Sequence, residues 1–450
     1  MAHTTTPAGP PHVLIIVQNL PVPLDRRVWL ECQALRAAGY DVSVICPKGP
    51  GDPARERIDG VRVFKYRPAP EASGALGYLV EFVYSWVRTA LLSRKVWREQ
   101  PFQLLQACNP PDTYWALARL WKRRGVRFVY DQHDLNPELF LSRFGEPSGG
   151  AGRAQLGLLR WLEWMTYRTA DHVVSTNRSY QRIAMERGRR SASDVTVVRS
   201  GPDTRTMRPV LPRPDARQGE RHRLAYLGIM GPQDNVEVVL EVVHELVHGR
   251  GRSDVEAVLM GFGDCYDDLV RRSGELGLDD VVTFTGRVGL PAIAEQLSAS
   301  AVGLCPDRKT PLNDLSTMNK TMEYMAYALP SVAFDLAETR VSGADACLYV
   351  PSGDVAAFAD AVERILDDPE LRCRMARTAR TRVSEELDWR PQAAAYVGVY
   401  DQLTGRDLQQ IPRDDGATAF VDVDSDEELA RFVLARGPLP AVHRDHALGA

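Results

Sequence analysis

The sequence predicts an α/β protein of two doubly wound, parallel-sheet domains, and three observations carry that prediction. Short apolar runs such as HVLIIV (12–17), DVSVIC (41–46), EAVLMG (256–261) and AVGLCP (301–306) alternate with longer segments of helical period. Helical segments close on a glycine before the next run, as at Gly39 and Gly125. The alternation occurs twice, on either side of a proline-rich segment. Strands buried on both faces read as continuous apolar runs, and strand–helix–strand units imply a parallel sheet.

Taken in order, residues 1–11 are a polar lead, 12–17 a strand, 27–38 a helix and 41–46 the next strand. GYLVEFVYSWVRTALLSRKVWR (77–98) reads as a helix. The pattern continues with a strand at 103–108, a helix at 113–124, a strand at 128–131, a long helix near 154–169, and strands at 172–176 and 195–200. Residues 1–205 form the first domain. Four prolines and few apolar residues in 201–223 mark a linker, assigned to 206–222. The second domain, 223–389, opens with LAYLGIMG (224–231). It continues with a helix at 235–248, a strand at 256–261, a helix near 266–276, a strand at 281–286, a helix at 291–299 and a strand at 301–306. A final helix over 390–405 is expected to return to the first domain. The acidic segment 406–450 is expected to be a loosely held tail in which DVDSDEELARFVLARG forms at most a short helix.

Hydrophobic residues at 44% and charged residues at 25% suit ordinary globular cores. Seven cysteines stand singly with no CxxC pair, so buried free thiols in a reducing compartment are expected and a zinc site is not. There is no basic-then-apolar leader and no run of 18 apolar residues, which predicts a cytoplasmic protein, at most at the inner face of a membrane. The net charge of −4 splits into +11 over residues 1–210 (30 basic, 19 acidic) and −15 beyond (25 basic, 40 acidic). A basic first half suggests an anionic partner there, or simply two differently solvated surfaces. No nucleic-acid partner is expected.

Two parallel-sheet domains are expected to face each other across a cleft beyond the carboxyl ends of their strands, where ligands bind. The candidate residues follow strands. In GIMGPQDN (228–235), Gly231 and Gln233 sit in a turn whose amides suit a phosphate, or in a plain tight turn. No GxGxxG opens a helix after either first strand, which excludes a dinucleotide-binding dehydrogenase. In PLNDLSTMNKTMEYMAYALPSVAFD (311–335), Asp314 or Ser316 can cap a helix that buries Met322, Met325, Ala326 and Leu329. Lys320 falls in its first turn, which is unfavourable by a few tenths to about 1 kcal/mol unless an anion is there too. Glu323 shares its flank at i, i+3. A diphosphate joined to a ribose fits: Lys320 and the amides near Ser316, Thr317 and Asn319 take the diphosphate, and Glu323 takes the ribose hydroxyls. On that reading Lys320→Ala leaves the donor-free fold nearly as stable as before. In the first domain, QNLPVPLDRRVW (18–29) offers Asn19, Asp25 and Arg27, and DQHDLNPE (131–138) offers His133 and Asp134. The plainer readings are a helix cap for Asp25 and a structural histidine for His133.

These residues resemble family 4 glycosyltransferases of the GT-B fold, with two Rossmann-like domains. The resemblance spans about 12–403 and rests on PVPLDRRVWLECQALRAAGYDVSVICP, VYDQHDLNPELF, VVRSGPD, LMGFGD, FTGRV and NKTMEYMAYALPSVAFD in that order. It implies a retaining, metal-independent enzyme with a nucleotide-diphosphate sugar as donor and no cofactor. It places Glu323 at the second glutamate of the family's Glu-x7-Glu motif, with Gly261 and Arg287 on the donor side. The first glutamate of that motif falls at Leu315, and Asp314, one residue away, is the substitute. The family's arginine and lysine after the second domain's first strand fall near Ile229 and Asp234, so Lys320 and Arg27 are expected to supply the missing positive charge. Lys320, Asp314, His133 and Arg27 are the catalytic candidates, and Asn19, Asp25 and Asp134 line the acceptor side.

The expected reaction moves a sugar to a hydroxyl of a lipid-linked, glycan or natural-product acceptor. Two alternatives share the fold, a nucleotide-sugar epimerase and a non-catalytic nucleotide-sugar-binding partner. Arg88, Arg94, Lys95 and Arg98 beside the apolar residues of 77–98 suggest an interfacial helix at a membrane surface, or an ordinary packed one.

Overall fold

The computed structural model describes residues 9–69, 74–210, 221–407, 429 and 431–433, with the backbone path alone for 74–79. Most of the 206–222 linker and of the 406–450 tail lies outside the described residues. The chain forms two compact units, one reaching Ser200 and resuming at Arg390, the other spanning Gly201–Trp389.

The first unit runs β1 (His12–Ile16), α1 (Arg26–Ala37), β2 (Asp41–Pro47), β3 (Arg55–Ile58), β4 (Val61–Tyr66), α2 (Gly74–Glu99) and β5 (Leu104–Cys108). It goes on through α3 (Trp115–Lys122), β6 (Arg127–Gln132), α4 (Asn136–Phe144), α5 (Gly150–Thr169), β7 (His172–Ser175), α6 (Arg178–Glu186) and β8 (Val195–Val197). The sheet order is β3-β4-β2-β1-β5-β6-β7-β8. Every pair is parallel except β3 with β4, an edge hairpin that the sequence pattern does not announce. β1 and β5 are buried along their whole length, as their unbroken apolar runs require. α1 starts where the Asp25 carboxylate accepts from the Val28 amide at 3.1 Å, so Asp25 is a helix cap. The direction of travel reverses at β1: the chain moves to β2 on one side and later to β5 on the other. Right-handed crossovers then put α1 on one face of the sheet and α2, α3 and α5 on the opposite face.

The second unit runs β9 (His222–Ile229), α7 (Glu237–His244), β10 (Val255–Phe262), α8 (Tyr266–Glu275), β11 (Val282–Gly286), α9 (Leu290–Ala299) and β12 (Val302–Cys305). It continues with α10 (Asn319–Ala326), β13 (Ser331–Phe334), α11 (Ala337–Gly343), β14 (Cys347–Val350), α12 (Val355–Asp367) and α13 (Pro369–Arg382). Its wholly parallel sheet has the order β11-β10-β9-β12-β13-β14, with the reversal between β9 and β12. α12 shows how the layers close. Asp354 caps it by accepting from the Ala357 amide, and Phe358, Val362, Ile365 and Leu366 bury one stripe, with Phe358 edge-on to Phe334 of β13. Each such side chain contributes on the order of 1.5–3 kcal/mol.

α14 (Trp389–Thr404) belongs to the first unit from Arg390 onward. Tyr396 and Tyr400 both donate to the Gln106 side-chain oxygen in β5, and the Tyr40 hydroxyl donates to Asp401 at 2.6 Å. Within the stretch expected to bury little, Leu429, Phe432 and Val433 are buried against Ala328 and Ala376 of the second unit. Their spacing gives them one apolar face, which the acidic average of the tail conceals. No helix among the described residues is long and apolar enough to cross a membrane. All seven cysteines are free, and five are buried.

Candidate functional site

In the second unit, the β9–β12 ladder pairs only Leu224 with Val302 and Ala225 with Gly303 before the strands part. Tyr324 of α10 fills the gap. Its hydroxyl accepts from the Leu227 amide at 2.9 Å and donates to the Leu304 carbonyl at 3.2 Å. Its ring lies so close over Gly303 that a Cβ there would come within 2.5 Å. The strand ends therefore open at the topological switch point, where doubly wound sheets bind ligands.

Lys320 lies beside this opening. It is 8% exposed, and its Nζ donates to Asp307 Oδ1 at 2.5 Å and stands 5.6 Å from the centre of the Tyr226 ring. Burial alone would depress the ammonium, but Asp307 first, then Tyr226 and Asp234, raise it above its ordinary value. The sequence argument required an anion beside Lys320, and the structure supplies one from the chain itself. The anion expected there was the donor's diphosphate; the chain's own Asp307 also stands there. Asp307 is 2% exposed and its Oδ2 is buried with no hydrogen-bond partner. Gly228 makes room for the lysine, since a Cβ there would lie 3.2 Å from Lys320 Cε. Gly261 pairs with Gly228 across β9 and β10, and a side chain on it would collide with the Gly228 carbonyl.

α10 begins at Asn319, with Met318 as an N-cap that offers no side-chain bond. This corrects Asp314 or Ser316 as the cap. Asp314 Oδ1 accepts from the Ala337 amide at the start of α11 and lies 3.3 Å from Lys309 Nζ. The Ser316 hydroxyl donates back to the Leu312 carbonyl, closing a turn. The first amides of α10 thus follow a turn that includes Thr317, and Met318 offers them no side-chain cap. Asn319 is exposed, and Glu323 is the one residue between Lys320 and Leu329 that keeps partial exposure.

The turn after β9 is tied to the loop after β12. Asn235, at φ +55°, donates to the Pro306 carbonyl and accepts from Arg308, while Asn313 donates to the Gln233 carbonyl at 3.3 Å. The Gly231 amide is satisfied by Asp234 Oδ2 at 3.1 Å. The structure therefore brings Gly231, Gln233 and Lys320 to one end of the sheet. Arg287 stands at another strand end, exposed, its guanidinium 5.7 Å from the centre of the Phe262 ring.

In the first unit, Arg27, Glu31, Gln106, Cys108, Asp131 and His133 form one buried network beyond and beneath the ends of β1, β5 and β6. Arg27 is 9% exposed; it donates to Asp131 Oδ1 at 2.9 Å, the Val198 carbonyl and the Ser200 hydroxyl. Its charge is used inside the unit, which corrects the expectation that it is offered to a donor. His133 Nε2 lies 2.6 Å from Asp131 Oδ2 and 3.2 Å from Arg27 Nε. Burial would lower the imidazole, but Asp131 overrides it and lifts His133 to about 9. Burial would raise Asp131, yet Arg27 and then His133 hold it well below the usual carboxylate range. Glu31, wholly buried and close to the Asp131 charge, is pushed up to about 8. Asn109 fixes the loop by accepting from the His133 and Asp134 amides. Burial also raises Asp134. Asn19 is exposed in the loop after β1.

Glu31, Cys108, Asp131 and His133 place their ligand atoms within 4.8 Å of one another, a spacing that could hold a metal. The Arg27 guanidinium already supplies positive charge there, at 2.9 Å from Asp131 and 3.1 Å from Glu31, and burial pushes the Cys108 thiol up, away from the thiolate that binds metals. The set is therefore read as a charge network around Arg27. Sequence reasoning missed Asp307, Asp131, Glu31 and Gln106. For the two aspartates a signal was present, since each ends or follows a predicted strand.

Residues 24–201 match the family model described as glycosyl transferase 4-like domain, and residues 221–368 match glycosyl transferases group 1. The alpha-D-kanosaminyltransferase of Streptomyces kanamyceticus is 31% identical over 41% of this chain, an alignment spanning 46% of that relative. The glycogen synthase of Mycobacterium tuberculosis is 24% identical over 87% of this chain and 93% of its own length. Anabaena HepE, crystallised with UDP and glucose, superposes with a TM-score of 0.62 at 14% identity, covering 88% of this chain and 99% of that one.

Proposed function

The chain belongs to the glycosyl transferases group 1, with the GT-B fold, and we propose that it is a retaining enzyme that moves a sugar from a nucleotide-diphosphate sugar to an acceptor hydroxyl. The observation that carries the reading is the buried Lys320–Asp307 pair at the switch point of the second sheet, with the partly exposed Glu323 one helical turn away. The donor diphosphate takes the α10 amides and Lys320, and Glu323 accepts from the ribose hydroxyls. Asp307 shares the lysine with the donor, so the site is weakly charged when empty and tightens only as charge grows on the leaving phosphate. HepE, with UDP in its crystals, supports this class of donor.

In the transfer, the bond from the anomeric carbon to the diphosphate oxygen breaks, and the acceptor oxygen bonds the same face of that carbon. The acceptor's proton passes to a departing phosphate oxygen. No protein nucleophile is required; the protein's work is orientation and charge stabilisation. His133, held cationic by Asp131, is proposed to face the donor sugar or its phosphate, with Arg27 as the positioning residue. Asp314 is proposed to take the place of the carboxylate missing at Leu315. The chemistry uses no metal in this scheme, and reduced thiols fit a cytoplasmic setting.

A panel of nucleotide sugars tests the reading by calorimetry and by acceptor-dependent nucleotide release. The expected result is one preferred donor, nucleotide release only with acceptor, and a product of unchanged anomeric configuration. Glu323→Ala should weaken donor binding. Epimerised donor, or binding without turnover against every acceptor class, would overturn the proposal.

A further inference from the structure

The helical face made by α2, α3 and α5 carries features that the donor site does not use. On α2, Val80, Val83, Val87 and Leu91 are 43–59% exposed and fall at intervals of three and four residues, a single outward apolar stripe. The opposite side of the same helix buries small residues, Ser85, Thr89 and Ser93. The inner side also sets Ala90, Leu92, Val96 and Trp97 against the core, so α2 is apolar on its outward side as well as its inward one, where a surface helix usually keeps a polar outer face. Exposed Arg88, Arg94, Lys95 and Arg98 accompany the stripe.

α2 packs directly on α3, with Trp121 Nε1 donating to the Ser93 hydroxyl at 3.2 Å and the Trp97 and Trp121 rings 4.9 Å apart. α3 packs on α5 through Trp115 and Trp161, 5.7 Å apart. The outer faces continue the theme. Leu120, Leu158 and Trp161 are 45–54% exposed. A surface recess of about 380 Å³ at the carboxyl ends of α3 and α5 is lined by Arg119, Lys122, Arg123, Arg168 and Thr169. Lys122 is engaged by the Thr169 carbonyl and Asp171. Among the described residues no carboxylate pairs with Arg119, Arg123 or Arg168. α3 has no acidic residue, and the one in α5, Glu163, is 2% exposed and bound to Arg187. Cations at helix ends are favoured by the helix dipole, but that does not account for the aliphatic side chains turned outward beside them on α2 and α3; the exposed carboxylate of α2, Glu99, is taken up by Arg55.

We propose that α2, α3 and α5 form a docking face for an anionic lipid bilayer, with the aliphatic stripe entering the interface and the arginines on lipid phosphates. Nucleic acid would use the cations and leave the valines in water; a bilayer uses both. The inference stands apart from the donor site.

The test is flotation of the full chain with phosphatidylcholine vesicles, with and without phosphatidylglycerol, at low and high salt. Binding to the anionic vesicles alone, weakened by salt, is expected. Arg119→Gln with Arg123→Gln should reduce partitioning roughly 25-fold, about fivefold per cation. Val83→Ser with Val87→Ser should also reduce it, and because both side chains are exposed, the melting temperature should hold. Equal binding to neutral vesicles, no binding to either, or loss on neutralising the arginines with no effect of the valine changes overturns the proposal. So does tight binding of a short RNA by a protein that ignores the vesicles.

Discussion

Lys320 and Asp307 are nearly excluded from water, and neither is balanced without the other. Removing one member of a buried ion pair leaves an uncompensated charge, at a cost of roughly 3–5 kcal/mol. Lys320→Ala should therefore lower donor-free stability by an amount of that order, measured by urea unfolding, and adding Asp307→Ala should restore part of it. Asp307→Asn, which keeps the shape and frees the lysine from its counterion, should tighten UDP binding in calorimetry. A Lys320→Ala protein as stable as the parent would remove the pair from the core of the site. The first unit makes a prediction of opposite pH sense to ordinary acid denaturation. His133 rises from 6.5 to about 9 on folding, so its contribution is complete below pH 6.5 and lost as pH climbs through 9. Glu31, raised from 4.5 to about 8, favours the folded state while protonated, and its penalty grows over that interval. Asp131 acts the other way, adding stability above its unfolded pKa and losing it only in acid well below the usual carboxylate range. The melting temperature should thus fall between about pH 6 and 9, by an amount worth up to about 3 kcal/mol for the histidine. His133→Gln should flatten the upper part of that fall.

The element that decides the geometry of the opening between β9 and β12 is α10, through Tyr324. Tyr324→Phe removes the group that satisfies both the Leu227 amide and the Leu304 carbonyl. Leaving buried partners unpaired should cost roughly 1–3 kcal/mol, read by urea unfolding, and amide exchange should quicken at Leu227. This element also shows where sequence reasoning succeeds and stops. The apolar runs of β1, β2, β5, β9, β10 and β12 announce themselves because both faces of each strand are buried. The buried stripe of α10 is equally plain. Its start was misplaced because Asp314 and Ser316 are good caps in isolation, and a tertiary partner at Ala337 and a local turn closed on Leu312 decide otherwise. β3 was unreadable for a related reason: Arg-Glu-Arg-Ile lies at a sheet edge, alternating exposed and half-buried, with no apolar run to mark it. The site was legible as positions beyond strand ends. Its charge partners were not, since Lys320 and Asp307 are 13 residues apart and Arg27 and Asp131 are 104 apart. Spacing of that kind leaves no periodic trace.

At the scale of the whole chain, α14 is bound to the first unit through Gln106, whose amide nitrogen donates to Glu31 and Asp131 while its oxygen accepts from Tyr396 and Tyr400. Tyr396→Phe with Tyr400→Phe should strip that oxygen of both donors and destabilise the first unit by roughly 1–3 kcal/mol, with faster amide exchange in β1 and β5 and no change in β10. The threading also has a consequence for biosynthesis. A ribosome releases the second unit's Gly201–Trp389 as one contiguous stretch, but the first unit's last helix leaves the exit tunnel only after that stretch has passed. Until then Gln106 waits in the nascent chain without its two tyrosines, beside a glutamate and an aspartate in need of cover. Ribosome-arrested chains long enough to have released Trp389 from the tunnel but not Tyr396 should hold a protease-resistant second unit and a first unit that is still cleaved, and the first should become resistant only when Tyr400 has emerged.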